Sequence, residues 1–394
     1  MSIYSIHGKG LKLDSRADIE PYLREINAEV LEEIHLGGNT VGVEAAQALA
    51  EVLQKATKLR VADYADIFTG RLISEIPQAI SALCDALIDK KHLVEVDLSD
   101  NALGGRVVDP LVPFLTGNRS FQIFKLNNNG LGPAGGTVIA DALRVNAELS
   151  TKEGKKSNLR VVVCGRNRLE DGSASAWAAA FKAHGTLEEV RMPQNGIRMD
   201  GIEALAGGLS ANPSLAHLDL QDNTFSQQGE RAFAAALSKW PALHTLNFSD
   251  CVLSDEGEVP ETITALAGGA SPALKRLLIQ NNNLDAATLK VLADNIGSGL
   301  KTVSRIEFQA NDVEEDDEEM LALIENMTAR GGKFLFDDED EEEDEEPDMN
   351  EQEPEAVPVA PEVAKVLTPG QAKTAADTDA DELADLLGKV SLDK

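Results

Sequence analysis

The stretch FQIFKLNNNGLGPAGGTVIADAL, residues 121–143, decides the fold. Phe121, Phe124 and Leu126 are followed by Asn129 and Leu131, which fits the template L-x-x-L-x-L-x-x-N-x-L, and an alanine-rich run at helical period comes next. The first half reads as a short strand ending in a tight turn anchored by asparagine. The second half reads as an amphipathic helix that returns the chain. One such unit has nothing against which to bury its apolar face; stacked copies bury it between them.

The template reopens at Leu31, Leu59, Leu93, Phe121, Leu159, Leu187, Leu215, Leu243, Leu274 and Val303, at intervals of 28, 34, 28, 38, 28, 28, 28, 31 and 29 residues. A period of 28–29 leaves room for a full helix in each unit, so the sequence predicts an α/β solenoid of about eleven leucine-rich repeats, a horseshoe of the ribonuclease-inhibitor kind. Residues 1–30, with a strand-like start at Ile3–Leu13 and a polar helix at Asp18–Ile26, read as a capping repeat. Residues 31–335 read as the repeat domain, closed by a capping helix around Met320, Leu321 and Ile324, and residues 336–394 as an acidic tail.

The ladder asparagines Asn39, Asn101, Asn129, Asn167, Asn195, Asn223, Asn282 and Asn311 are structural in this reading. A side-chain amide donates and accepts, so a buried column of them satisfies backbone groups where each strand turns away. The residue before each asparagine falls on the rim. That column reads Gly38, Asp100, Asn128, Arg166, Gln194, Asp222 and Asn281, with Asp250 before Cys251, and nothing in an apolar core asks for polarity there. Either it is a solvated edge or it is a recognition surface. A spread-out row of mixed sign suits a protein partner better than a small-molecule pocket. Arg166 and Arg168, flanking Asn167, stand out as arginines on the rim of an acidic chain.

Two intervals are long. In the 38-residue one the surplus is Glu148–Asn158, a polar loop before the next strand. In the 34-residue one, LRVADYADIFTGRLISEIP, Ile67 stands in the asparagine slot and Phe68, Thr69, Gly70 and Arg71 replace the usual turn. A regular array that breaks its own rule once marks either a functional site or a tolerated insertion.

The 394 residues carry a formal charge of −31. From Glu314 onward there are 28 acidic and 6 basic residues, so that segment holds −22 and the preceding part only −9. Neither part suits a phosphate backbone, so no direct nucleic-acid partner is expected. The ten consecutive acidic residues Asp337–Glu346 and the proline-rich run after them predict disorder. Leu383, Leu386, Leu387, Val390 and Leu392 form a short amphipathic pattern that reads either as a frayed end or as a docking helix for an export receptor. Three cysteines without ligand spacing, no long apolar run at the amino end and no membrane-length segment lead us to expect a chain that is cytoplasmic or nuclear, neither secreted nor membrane-inserted. No phosphate loop, H-E-x-x-H or G-x-S-x-G occurs and the histidines form no ligand pair, so no autonomous active site, metal or cofactor is expected.

DIFTGR (66–71) followed by EIP, LNNNGLGP, CGRNRLE, QNGIR (194–198), LDLQDNTF and an acidic tail together resemble the fungal Ran GTPase-activating proteins, by order and spacing over residues 1–335 and by composition beyond. The resemblance implies stimulation of GTP hydrolysis by Ran in its GTP form, with or without a Ran-binding protein, in nucleocytoplasmic transport. GTP and Mg²⁺ would be held by Ran, and the chain would work in the cytoplasm or at the nuclear envelope. It implies that Asn128 helps set Ran's catalytic glutamine and that Arg71 organises the interface without entering the nucleotide site. It further implies that Arg166, Arg168 and Asp222 face Ran, and the rim column adds Asp100 and Gln194 to the residues expected to bind the partner. Ile73 departs from family members that carry a basic residue there. The rival class is a non-catalytic adaptor or inhibitor, like ribonuclease inhibitors or the acidic histone-binding leucine-rich nuclear proteins. The former are cysteine-rich and the latter have shorter repeats, and neither explains DIFTGR.

Overall fold

The computed structural model describes residues 2–314 and 317–337. The chain enters through β1 (Ser2–Ser5), β2 (Lys12–Leu13) and α1 (Arg16–Leu23), followed by β3 (Leu31–His35), β4 (Thr40–Val41) and α2 (Val43–Leu53). Strand and helix then alternate: β5 (Val61–Asp63), α3 (Ile76–Asp85), β6 (Glu95–Asp97), α4 (Val112–Gly117), β7 (Ile123–Lys125), α5 (Gly132–Lys152), β8 (Val161–Val163) and α6 (Glu170–His184). The series continues with β9 (Glu189–Arg191), α7 (Met199–Leu209), β10 (His217–Asp219), α8 (Ser226–Ala236), β11 (Thr245–Asn247) and α9 (Glu261–Ala267). It ends with β12 (Arg276–Leu278), α10 (Ala286–Asn295), β13 (Arg305–Glu307), α11 (Glu318–Ala329) and β14 (Lys333–Leu335).

All strands except β2 and β4 form one twelve-stranded parallel sheet whose spatial order is the chain order. Every crossover therefore joins neighbours, as the repeat period requires, and the architecture is an α/β leucine-rich repeat solenoid. The third apolar slot of successive repeats, occupied by Leu36, Tyr64, Leu98, Leu126, Cys164, Met192, Leu220, Phe248, Ile279 and Phe308, is buried throughout and packs against the helices. Removing that stack from water is the dominant favourable term, because each short strand brings few hydrogen bonds of its own.

The asparagine column behaves as one device. In Asn101, Nδ2 donates to Tyr64 O at 2.8 Å and Leu98 O at 2.9 Å, while Oδ1 accepts from Ile67 N at 2.9 Å. Asn195 repeats this with Cys164 O, Met192 O and Asn167 N. Each amide ties its own turn to the preceding repeat, which leaves few buried backbone groups unpaired. Cys251 takes the same slot, and its Sγ lies 3.3 Å from Leu220 O and 3.2 Å from Ser249 O.

Three local expectations need correction. The amino-terminal strand-like stretch is two strands separated by a turn, because Gly8 and Gly10 adopt positive φ between them. The first helix runs Arg16–Leu23 and not Asp18–Ile26: a capping box between Ser15 and Asp18 starts it two residues earlier, and it ends with Arg24 as its C-cap. The surplus at 148–158 is only partly loop: α5 continues through Lys152, where Ser150 and Thr151 return hydrogen bonds to Asn146 O and Ala147 O. The acidic run after Asp337 and the carboxy-terminal leucines lie outside the described residues.

Candidate functional site

The rim column has a backbone cause that composition does not reveal. Gly38, Asp66, Asp100, Asn128, Arg166, Gln194, Asp222, Asp250, Asn281 and Ala310 all adopt the left-handed conformation, with φ between 47° and 71°. In most repeats the same residue donates its N–H to the following repeat: Asp100 to Asn127 O, Asn128 to Gly165 O, Arg166 to Pro193 O, Gln194 to Gln221 O and Asp222 to Ser249 O, all at 2.8–3.0 Å. Glycine, asparagine and aspartate tolerate this conformation best. The polarity of most of the column is thus a backbone requirement, against the expectation that nothing structural demands it. Arg166, Gln194 and Ala310 are the members it does not explain, nor does it explain Arg168 (φ 54°) just past the ladder asparagine, and left-handed backbone costs an ordinary L-residue about 1–2 kcal/mol.

Asp100, Asn128, Arg166, Arg168, Gln194 and Asp222 are all exposed, along one edge at the carboxyl ends of β6 to β10. Asn128 Nδ2 donates to Asp100 Oδ1 at 2.8 Å. A carboxylate only accepts, so Asp100 fixes which end of the amide it receives and leaves Asn128 Oδ1 facing outward. Among the described residues the guanidinium groups of Arg166 and Arg168 engage in no hydrogen bond or ion pair.

Three consecutive asparagines divide the labour in this turn. Asn129 is buried in the ladder, where Nδ2 reaches Leu98 O at 2.9 Å and Oδ1 accepts from Asn101 N at 3.2 Å. Asn128 points out. Asn127 Oδ1 accepts from Gly165 N at 2.6 Å and clamps the next turn just ahead of Arg166. Sequence reading missed Asn127; the run of three identical polar residues was the available signal.

Arg71 sits on the same edge, after β5, but turns away from Asn128 toward the turn that follows β3. Nε donates to Thr40 Oγ1 at 2.7 Å, Nη2 to Thr40 O at 3.0 Å and Nη1 to Asp14 Oδ1 at 2.5 Å, and only 8% of the side chain is exposed. The hydrogen bond from Arg71 holds the Asp14 carboxyl below the usual carboxylate range. The close approach depends on Gly42, where a Cβ would come 2.7 Å from Asp14 O and 3.1 Å from Arg71 Nη1. With strands about 4.8 Å apart, the guanidinium lies roughly 14 Å from the Asn128 position. Arg71 therefore fastens its loop to the capping repeat and projects no charge from the rim.

What the edge offers chemically is one oriented amide oxygen, two unpaired guanidinium groups and carboxylates on either side. It is an open row and not a convergent pocket. Among the described residues no group of three or more His, Cys, Asp or Glu is arranged to hold a metal ion.

The family model of the Leucine Rich repeat matches residues 28–50. The chain is 49% identical over 197 residues to Ran GTPase-activating protein 1 of Xenopus laevis, covering 49% of this chain and 34% of that protein. It is 39% identical over 209 residues to Ran GTPase-activating protein 1 of Saccharomyces cerevisiae, covering 52% and 51%, and 43% identical over 201 residues to Ran GTPase-activating protein 2 of Caenorhabditis elegans, covering 50% and 21%. The chain thus spans about half or less of the length of the relatives it matches.

Proposed function

We propose that this chain is a GTPase-activating protein for Ran, acting on the hydrolytic site of its partner and carrying no active site of its own. The observation that carries the reading is the Asn128–Asp100 pair on a rim that faces solvent, in a chain similar to proteins named for that activity. Phosphoryl transfer asks little covalent chemistry of the protein. The gain comes from positioning the attacking water and stabilising spread charge, and a glutamine of the GTPase commonly orients that water. An amide oxygen held outward by Asp100 accepts a hydrogen bond from such a glutamine's amide and restricts it to the orienting rotamer.

In this reading Arg166, Arg168, Gln194 and Asp222 contact the partner, the two arginines steering toward its acidic surface. Arg71 supports the interface from beneath and contributes no arginine finger, since each of its three nitrogens already donates within this chain. GTP and Mg²⁺ belong to Ran, the GTP-bound form is the one recognised, and the action is cytoplasmic or at the nuclear envelope. No observation favours the adaptor or inhibitor reading. The test is single-turnover hydrolysis of GTP by Ran with and without substoichiometric chain: we expect acceleration, and an unchanged rate sinks the proposal.

A further inference from the structure

The edge opposite the rim carries a charge for which the function proposed above has no use. β5 to β8 are hydrogen-bonded parallel neighbours, so the segments that lead into them from the preceding helices all fall on the amino edge of the sheet. Those four segments, residues 54–60, 86–94, 118–122 and 152–160, hold ten basic residues and two acidic ones, a net charge of +8. The first 313 residues as a whole carry −9. The simplest account is that cations complement the negative end of each helix, but that effect is confined to the last helical turn. The last turns of α2, α3 and α4 carry no basic residue, and α5 contributes only Lys152. The other nine stand beyond the helices.

The edge is also stitched together. Lys90 Nζ donates to Gln54 O at 3.0 Å, Asn118 Nδ2 to Leu87 O at 2.8 Å and Lys90 O at 3.0 Å, and Asn158 Nδ2 to Arg119 O at 2.8 Å, so each segment is tied to its neighbour. Arg119 pairs with Glu153 across the last gap. The ammonium groups of Lys55, Lys58, Lys91, Lys152 and Lys156 take no part in this. All five residues are exposed, and among the described residues these groups engage in no hydrogen bond or ion pair.

We propose that this amino edge is a docking surface for an acidic polypeptide segment of another protein, bound independently of the rim. Charge complementarity sets the sign of the partner. Its kind follows from what else the edge holds. No large apolar side chain is exposed on the four segments, and their one large aromatic, Phe121, is buried, so the edge has no wedge for a bilayer and no platform on which bases stack. A membrane surface or a nucleic-acid duplex is an extended anion and meets the rest of a chain of charge −31 as well, whereas a short acidic segment meets the edge alone. The three strand steps from β5 to β8 span roughly 14 Å, a distance that about five residues of extended chain cover. Because the segments are already tied to one another, little conformational entropy is lost on docking.

The experiment titrates a fluorescently labelled peptide of glutamate, aspartate and glycine with the full chain and reads anisotropy. We expect saturable binding that weakens roughly tenfold as salt is raised from low to above physiological strength. Lys58→Glu/Lys91→Glu/Lys156→Glu should lower the affinity at least about tenfold, while Arg166→Glu/Arg168→Glu, reversals on the opposite edge, should leave it within about twofold. All of these side chains are exposed, so thermal unfolding of the variants should match the parent. Absence of binding by the parent, or equal loss in both variants, overturns the proposal. Tighter binding of phosphatidylserine vesicles or duplex RNA than of the peptide assigns the edge to another anion and overturns it too, as do carbodiimide crosslinks from these lysines to the chain's own acidic run in place of the peptide. Acceleration of GTP hydrolysis by Ran should be the same for the triple variant as for the parent; a loss would assign the lysines to the GTPase and not to a second partner.

Discussion

The turn after β5 and the turns after β7 and β8 share one backbone and use it in opposite ways. In each, the rim residue is left-handed and its N–H bonds to the next repeat. After β5 the asparagine slot holds Ile67, the loop is lengthened, and its arginine is folded inward onto Thr40 and Asp14. After β7 and β8 the ladder asparagines Asn129 and Asn167 remain, while Asn128, Arg166 and Arg168 are exposed. The solenoid thus holds geometry constant and varies the direction of its polar groups: anchorage at one turn, presentation at the others.

The sharpest way to break this contrast is Asn128→Ala. If that turn presents chemistry, kcat for activated hydrolysis should fall on the order of a hundredfold, as when a positioned polar group is lost from a transition state, with thermal unfolding unchanged. Asp100→Ala should fall between parent and Asn128→Ala, since it frees the amide to rotate without removing it. Arg71→Ala should show the opposite pattern: melting should drop by roughly 3–6 °C, because the three hydrogen bonds of a largely buried guanidinium to Thr40 and Asp14 are lost. Arg71→Lys should recover only part of that, lacking the planar fork. If Arg71→Ala leaves melting alone and abolishes kcat, the inward reading of that side chain is wrong.

Arg166→Ala and Arg168→Ala should each raise KM roughly threefold to tenfold, an effect that shrinks with added salt. Arg166→Asn should raise the melting temperature slightly while weakening the partner, because asparagine accepts the left-handed backbone that arginine resists. Loss of stability in that variant would mean that the guanidinium has a structural role. A smaller effect separates the slot from the rim: Cys251→Asn should melt within a few degrees of the parent, since an amide reaches the same Leu220 O and Ser249 O that the sulfur approaches.

The pH dependence of stability should follow the buried imidazoles. Burial pushes His184 down to about 4 and His217 down to about 3, so both remain neutral in the fold where the unfolded chain takes up protons. The unfolded state then binds more protons between the ordinary histidine value near 6.5 and those depressed values, so stability falls as pH falls through that window. Asp219, pushed up to about 6 by burial, works in the other sense between its ordinary value and 6, and offsets part of the loss. A urea midpoint that rises on acidification from neutral pH to about 4 would contradict the histidine contribution; His217→Gln should flatten the slope.

Much of this was legible in the sequence because its signals are local and periodic. The apolar slots and the ladder asparagines recur at a spacing that only a stacked βα unit satisfies, so strand order and register follow. The direction of Arg71 was not legible, because Thr40 and Asp14 are 31 and 57 residues away in sequence. Nor was the cause of rim polarity, since φ leaves no periodic mark when glycine, aspartate, asparagine, arginine and glutamine all occupy one position. A second set of buried amides, Asn118, Asn146 and Asn212, passed unnoticed. Each bonds to carbonyls at the end of the preceding repeat's helix, as in Asn146 Nδ2 to Leu115 O and Asn118 O at 2.7 Å; Asn118 and Asn146 stand one 28-residue period apart, but Asn212 follows only 66 residues later, so the period is not sustained.

Because nearly every left-handed rim residue is bonded through its own amide to the next turn, that edge is graduated like a ruler. Neighbouring marks are fixed at the interstrand distance of about 4.8 Å, whatever side chain hangs from them. Exchanging one rim residue rewrites a single mark and leaves the scale intact. A surface of this kind can therefore be re-lettered for a new counterpart one position at a time, without renegotiating the core.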